Sequence, residues 1–158
     1  MRKIFFLIAM LLMLIVALTA MPGTFAQSKP RVTRVSSETA IRAVLDAQVA
    51  AWNRGDIENY MNGYDRSPKT EFVGADSITR GWQDVLDRYK KRYDTREKMG
   101  TLAFSDLEIT MLSSDAALVL GRWRLQRAND EPHGTFTLLF RKRKAGWRIV
   151  HDHSSSAS

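Results

Sequence analysis

Two histidines stand two positions apart near the end of the chain, at His151 and His153. Side chains two apart on a strand project from one face, so both imidazoles are expected on the inner face with Asp152 on the other. Because imidazole titrates close to neutral pH, it suits hydrogen bonding or proton transfer in a pocket, and His151 is the best single candidate for either role. A purely structural role for both histidines is the alternative.

The same spacing would let both imidazoles bind one metal ion if a third ligand came from elsewhere. The remaining histidine, His133, is assigned to the outer face by parity with its threonine neighbours. The third ligand would then be a carboxylate such as Glu71 or Asp76. Hydrogen bonding is favoured over this arrangement, and neither a metal nor a cofactor is expected.

Two aspartates lie where a carboxylate base could operate. Asp76 lies in a turn beside Gly74, and Asp106 lies where a strand is expected to bulge. A carboxylate base can remove a proton from the carbon next to a carbonyl group when a tyrosine hydroxyl stabilises the oxyanion that forms. Tyr60 or Tyr64 could donate that hydrogen bond. The alternative for each aspartate is a solvated turn residue.

Aromatic residues recur on the faces that the hydrophobic pattern assigns inward, where they either fill a core or line a pocket. Trp123 is added by its parity with Val119 and Leu125. The expected ligand is therefore small and partly apolar. The candidate lining residues, in addition to His151 and His153, are Trp52, Tyr60, Phe72, Trp82, Tyr89, Trp123 and Trp147.

Basic residues are clustered, and the formal net charge of the 158 residues is +7. One cluster surrounds the end of the third predicted helix, from Arg88 to Lys98, and another occupies 141–144. Such clusters can bind nucleic acid by releasing counterions. Export, which the pattern of residues 1–26 indicates, disfavours nucleic acid and favours a solvated face or attraction to an anionic polymer of the cell envelope.

Residues 1–26 have the three parts of a secretory signal peptide: Arg2 and Lys3, an uncharged apolar run over 4–20, and small residues before Gln27. Cleavage is expected after Ala26, which makes the protein periplasmic or secreted, with no stable membrane anchor. An uncleaved anchor is the alternative. The chain contains no cysteine, so an exported domain of this sequence must depend on core packing rather than disulfides.

Hydrophobic periodicity predicts three helices after a linker over 27–35. The first, from Ser37, has apolar residues at helical spacing and stops at 53–55; Asp56 then caps a short second helix ending near Gly63. The third carries apolar residues from Trp82 to Tyr93.

Strands account for most of the rest. A short pair is expected at 70–73 and 78–80, and four long strands follow Gly100, before a polar tail over 155–158. The apolar parity changes between Phe104 and Leu107, which predicts a β-bulge in the first long strand. In the last strand, Trp147, Ile149 and His151 alternate and are assigned to the inner face.

Four segments resemble the nuclear transport factor 2-like superfamily, and within it the SnoaL-like domain group. They are residues 51–56 (AWNRGD), 121–123 (GRW), 137–142 (TLLFRK) and 146–154 (GWRIVHDHS). The resemblance covers 36–154 and implies an α+β fold: a cone-shaped, strongly bent antiparallel β-sheet wrapped around three N-terminal helices, as in cystatin-like and ketosteroid isomerase-like proteins. It also implies a deep pocket in the cone and a homodimer formed through the outer face of the sheet.

The resemblance does not select an activity, because one fold supports many functions. We expect first an exported domain that binds a small, partly apolar molecule, with His151 and His153 as polar contacts. The alternative is an enzyme of isomerase, cyclase or dehydratase type, with His151 and Asp76 as catalytic residues. A second alternative is a dimerising association module whose pocket is filled by side chains.

Overall fold

A long first helix forms one wall of the molecule. The computed structural model describes residues 32–74 and 77–157, so the predicted leader lies outside the described residues. Helix α1 runs from Val32 to Asn53 and therefore begins inside the predicted linker. It ends where Gly55 adopts a positive φ of 83°, and Arg96 donates hydrogen bonds to the carbonyl oxygens of Trp52 and Asn53. A cation there matches the negative end of the helix dipole.

The other helices are shorter. Helix α2, Ile57–Tyr60, is capped by the Asp56 side chain as predicted, and it continues as a 3-10 turn over Met61–Gly63. Helix α3, Trp82–Arg92, matches the third predicted helix. A fourth, α4, Arg96–Met99, was not predicted, because a single turn carries no readable periodicity.

Six strands form one sheet in the order β2-β1-β6-β5-β4-β3. Among the described residues, β1 and β6 are parallel and the other neighbouring pairs are antiparallel. The predicted α+β class with a curled sheet is confirmed. The strands are β1 Glu71–Gly74, β2 Ser77–Arg80, β3 Thr101–Met111, β4 Ala116–Gln126, β5 His133–Arg143 and β6 Gly146–Ser154.

The bulge predicted in β3 is confirmed. Ser105 pairs with Arg122 and Glu108 pairs with Leu120, so two residues of β3 stand opposite one residue of β4. Asp106, one of the two, has a positive φ of 52°. Because of this extra residue, the apolar side chains before the bulge and those after it point to the same, inner face of the sheet.

A second bulge, in β6, was not predicted and changes the site. His151 pairs with Leu139 while Ile149 pairs with Phe140, so Val150 is the extra residue. The alternation therefore reverses after Ile149, and Asp152 rather than His151 points inward. The prediction that His151 shares the inner face with Trp147 and Ile149 is wrong, since one inserted residue exchanges the two faces of everything that follows.

The inner face of the sheet packs against the helices in a single core. Ile41, Leu45 and Trp52 of α1 are buried there with Val119 and Phe140 of the sheet. On the outer face, Leu118 and Leu120 are exposed. Among the described residues, no helix is long and apolar enough to cross a membrane.

Candidate functional site

A cavity of about 120 Å³ lies between the helices and the inner face of the sheet. Its walls are mostly aromatic and aliphatic side chains. Apart from Gln48, a buried amide that donates to the Tyr60 carbonyl oxygen, its main polar side chains form two sets, one buried and one near solvent. The wall residues from the helices and β1 include Trp52, Tyr60, Tyr64, Phe72, Tyr89 and Tyr93, and those from the long strands include Leu102, Phe104, Trp123, Leu125, Phe136, Leu138 and Ile149.

A buried carboxylate forms the inner polar set. Asp152 is 4% exposed, and its Oδ2 accepts a hydrogen bond of 2.6 Å from the Tyr64 hydroxyl. Its Oδ1 accepts one of 2.7 Å from Ser154 Oγ. Burial raises the pKa of Asp152, and these two hydrogen bonds act in the opposite direction. A carboxylate held in this way can exchange its proton closer to neutral pH than an exposed aspartate can.

Three tyrosines surround this carboxylate. The Tyr64 and Tyr89 hydroxyl oxygens are 3.4 Å apart, and the Tyr60 ring lies beside both, at centroid distances of 6.1 and 5.3 Å. Burial, and then the negative charge of Asp152, raises the pKa of Tyr64, so its hydroxyl stays protonated. Burial likewise raises the pKa of Tyr60 and of Tyr89.

The hydroxyl protons form a chain whose direction depends on Asp152. When Asp152 is ionised, Tyr64 donates its one hydroxyl hydrogen bond to the carboxylate, so Tyr89 is the donor and Tyr64 the acceptor in the hydrogen bond between the two tyrosines. Tyr89 then presents lone pairs to the cavity. When Asp152 is protonated, the chain can reverse, and Tyr89 can donate a hydrogen bond to a ligand. The buried set can therefore serve as acceptor or as donor.

The outer polar set consists of two arginines on successive turns of α3, which line the cavity where it approaches solvent. Arg88 is half-buried and Arg92 is exposed. The Arg88 guanidinium lies 5.0 Å from the centre of the Phe72 ring and donates to Ser77 Oγ at 2.9 Å. These contacts fix its position without neutralising its charge.

The end of the chain also borders the cavity. The Trp123 indole donates a hydrogen bond of 2.9 Å to the Ser155 carbonyl oxygen, and Ser156 lines the cavity. Backbone hydrogen bonds join Ser155 and Ala157 to β5. The segment passes so close to Gly134 that an added Cβ would lie 1.9 Å from the Ser155 oxygen. Residues 155–157 of the predicted polar tail thus lie at the rim.

Five of the aromatic residues predicted to line a pocket do so: Trp52, Tyr60, Phe72, Tyr89 and Trp123. Two do not line it.

Trp82 lies elsewhere, 4.3 Å from the Arg66 guanidinium, and donates to the Met61 carbonyl oxygen. Trp147 is buried in the core away from the cavity. Both predictions rested on an inward direction alone, which a core residue and a cavity residue share.

His151 and His153 lie on the outer face of β6 and do not line the cavity. His151 Nδ1 is 3.1 Å from Glu71 Oε2, and Arg80 Nε is 2.9 Å from the other oxygen of that carboxylate. The cause is the bulge at Val150. Within the described ranges, no three metal-ligating side chains are grouped to hold an ion.

Of the two predicted aspartates, the structure describes only Asp106, and Asp106 does not line the cavity. Asp76 lies outside the described residues. Asp106 is exposed at the β3 bulge and forms an ion pair of 3.1 Å with Arg122. Tyr64, weighed as a hydroxyl donor, does donate, but its partner is Asp152, which sequence reasoning had assigned to the opposite face.

Comparisons with known proteins agree with this architecture. A family model described as a SnoaL-like domain matches residues 41–158. The structure of an NTF-2-like protein of unknown function from Shewanella oneidensis MR-1 is 43% identical, covers 75% of this chain and 98% of that one, and has a TM-score of 0.72.

More distant structures share the fold. A ketosteroid isomerase-like protein from Erwinia carotovora atroseptica SCRI1043 is 21% identical over 76% of this chain and 95% of that one, with a TM-score of 0.62. A domain of unknown function with a cystatin-like fold from Nostoc punctiforme PCC 73102 is also 21% identical, covers 78% of each chain and has a TM-score of 0.66. No curated protein matches the chain.

Proposed function

The chain belongs to the SnoaL-like domain family, and we propose that it is an exported protein that binds a small, partly apolar molecule in the cavity. One observation carries the proposal: a buried carboxylate, Asp152, stands at the inner end of an otherwise largely apolar cavity. Ligand sites typically combine apolar walls with a few placed polar groups of this kind. Export rests on the leader sequence and is proposed together with binding.

The dimensions of the cavity favour a ligand core of about one ring. Its volume of about 120 Å³ is close to that of an engineered cavity of roughly 150 Å³ that binds benzene. The aromatic residues Trp52, Tyr60 and Phe72 are part of its wall. Aromatic walls of this kind favour a flat, apolar guest over a branched polar one.

The buried polar set favours a hydroxyl or N–H group on the inner end of the ligand. Each oxygen of Asp152 already accepts one hydrogen bond and retains further acceptor capacity. The Tyr89 oxygen also accepts while Asp152 is ionised. A ligand without a donor would leave this capacity unused, which costs binding free energy.

Binding of p-cresol and p-xylene tests the proposal, because the two differ only in the donor hydroxyl. Calorimetry on the wild-type protein should show tighter binding of p-cresol, by about tenfold. Asp152→Asn should reduce that preference, because it removes the charge that the hydroxyl contacts. His151→Ala is the control and should leave both affinities unchanged, since His151 lies on the outer face. Failure of both probes to bind would overturn the proposal, as would an effect of His151→Ala without one of Asp152→Asn.

A second candidate is proton-transfer catalysis in the same cavity, and the raised pKa of Asp152 favours it. The ionised carboxylate would accept a proton from carbon next to a carbonyl, and a tyrosine hydroxyl would donate to the enolate oxygen that forms. Acetophenone in D2O is a suitable probe, because exchange of its methyl protons is visible by proton NMR. Exchange above the buffer rate that Asp152→Asn abolishes and His151→Ala preserves would support catalysis. Exchange at the buffer rate would restrict the cavity to binding.

We also propose that the outer face of the sheet pairs with a second copy of the chain. Leu118 and Leu120 are 37% and 45% exposed on adjacent outward positions of β4. Apolar side chains placed next to each other on a sheet face are more stable when covered. The pairing leaves the cavity free, because the cavity lies on the opposite face of the sheet.

A further inference from the structure

The rim of the cavity is positively charged on one side. Arg88 and Arg92 are four residues apart on α3, and both line the cavity. Side chains at this spacing lie on the same face of a helix, so the two guanidinium groups approach the same region of space. Both remain cationic at every physiological pH.

Neither arginine is committed to a carboxylate among the described residues. The ion pairs found within the described ranges contain neither Arg88 nor Arg92. The nearby carboxylate of Glu58 on helix α2, for example, is paired with Lys90. Arg88 donates to the neutral hydroxyls of Ser77 and Thr79. Within residues 32–74 and 77–157, its charge is therefore not offset by a carboxylate.

Arg88 is also held in place before a ligand arrives. Its guanidinium is fixed by the β2 hydroxyls on one side and by the Phe72 ring, 5.0 Å away, on the other. A fixed side chain loses little conformational entropy when it binds. Arg92 lies 5.8 Å from the Tyr93 ring centre and is more exposed, so it can adjust to the anion.

The two polar sets impose a direction on the ligand. An anionic group at the inner end would meet the Asp152 carboxylate, which repels it. At the rim the same group would meet two guanidinium groups, whose planar donors match the two oxygens of a carboxylate. A molecule with an apolar ring and a single carboxylate therefore fits in one orientation.

We infer that the ligand is a small aromatic carboxylic acid, bound as its anion, with the carboxylate on Arg88 and Arg92 and the ring directed toward Asp152. The inference rests on the proposed function and adds the chemical class of the ligand. It also assigns a role to part of the basic cluster on α3. That part is a recognition surface for a small anion rather than a merely solvated face.

The probes are 4-hydroxyphenylacetate and its neutral isostere 4-hydroxyphenylacetamide, measured by calorimetry at constant ionic strength. We expect the carboxylate to bind about tenfold more tightly than the amide, because charged hydrogen bonds are the stronger kind. Arg88→Gln and Arg92→Gln should each reduce this ratio, and the double variant should bring it close to one. Arg92→Gln guards against misfolding, since Arg92 is exposed and is not one of the buried core residues.

Lys91→Gln is the matched control, because Lys91 lies between the two arginines in sequence, is exposed and does not line the cavity. It removes the same charge and should preserve the ratio. An equal loss with Lys91→Gln would overturn the inference in favour of a general electrostatic effect. Equal affinity of the two probes, or binding of p-cresol alone, would overturn it while leaving the proposed function in place. Failure of p-cresol and p-xylene to bind as well would overturn the proposed function itself.

Discussion

Replacing Asp152 with asparagine should change how the stability of the protein depends on pH. Asp152 is 4% exposed, and burial raises its pKa above the ordinary value of 3.8. The native state therefore holds this proton at pH values where the unfolded chain has released it. Over that range the wild-type protein loses stability as the pH rises. Asp152→Asn removes the titrating group and with it this loss.

The magnitude follows from linkage. Each pH unit between the unfolded and native pKa of Asp152 lowers the unfolding free energy of the wild type by up to about 1.4 kcal/mol. The unfolding free energy of Asp152→Asn minus that of the wild type should thus increase from pH 4 upward and level off above the native pKa. Carboxylates whose pKa values are lowered, such as Glu71 through its hydrogen bonds with His151 and Arg80, contribute equally to both proteins and cancel.

Urea unfolding followed by tryptophan fluorescence at half-unit pH steps measures this difference. Glu108→Gln is the control, because it also replaces a carboxylate with an amide but at an exposed position on β3, and it should not reproduce the increase expected for Asp152→Asn. Outside the cavity, the positively charged forms of His151 and His153 act to lower the pKa of Asp152, against the larger effect of burial. A difference for Asp152→Asn that is flat, or that decreases with pH, would refute the burial of a carboxylate with a raised pKa.

Three further changes test other parts of the structure. Arg96→Ala removes the hydrogen bonds to the last carbonyl oxygens of α1 and should lower the unfolding free energy by about 1 to 3 kcal/mol in urea titrations; no loss would contradict the capping role. Gly134→Ala places a Cβ against the Ser155 backbone and should cost about 1 to 3 kcal/mol, with faster amide hydrogen exchange at Ser155 as the local signature; unchanged exchange there would contradict the close packing. Leu120→Lys should convert a dimer into a monomer in sedimentation velocity, whereas Leu112→Lys, the same change at an exposed turn position, should not; a wild-type monomer would contradict the proposed pairing.

Much of the fold could be predicted from the sequence, because the spacing of apolar residues indicates which face of a helix or strand is buried. The spacing in α1 and α3, the Asp56 cap and the parity change that marks the β3 bulge are all local signals, and each is confirmed. The SnoaL-like resemblance, carried by short segments along 51–154, is confirmed as well. In β3 the bulge is readable because apolar residues flank it on both sides.

The candidate site depends on the bulge in β6, which no pattern of apolar residues indicates. The β6 bulge falls at Val150, just before His151, Asp152 and His153, and polar residues do not reveal which face they occupy. Imidazole is chemically suited to a pocket, which favours the histidines, yet the pairing of β6 with β5 turns both of them outward. The sequence by itself determined the elements and their order, since these depend on local periodicity and capping. The tertiary structure alone decided that Asp152 enters the cavity, because strand register is set by the partner strand.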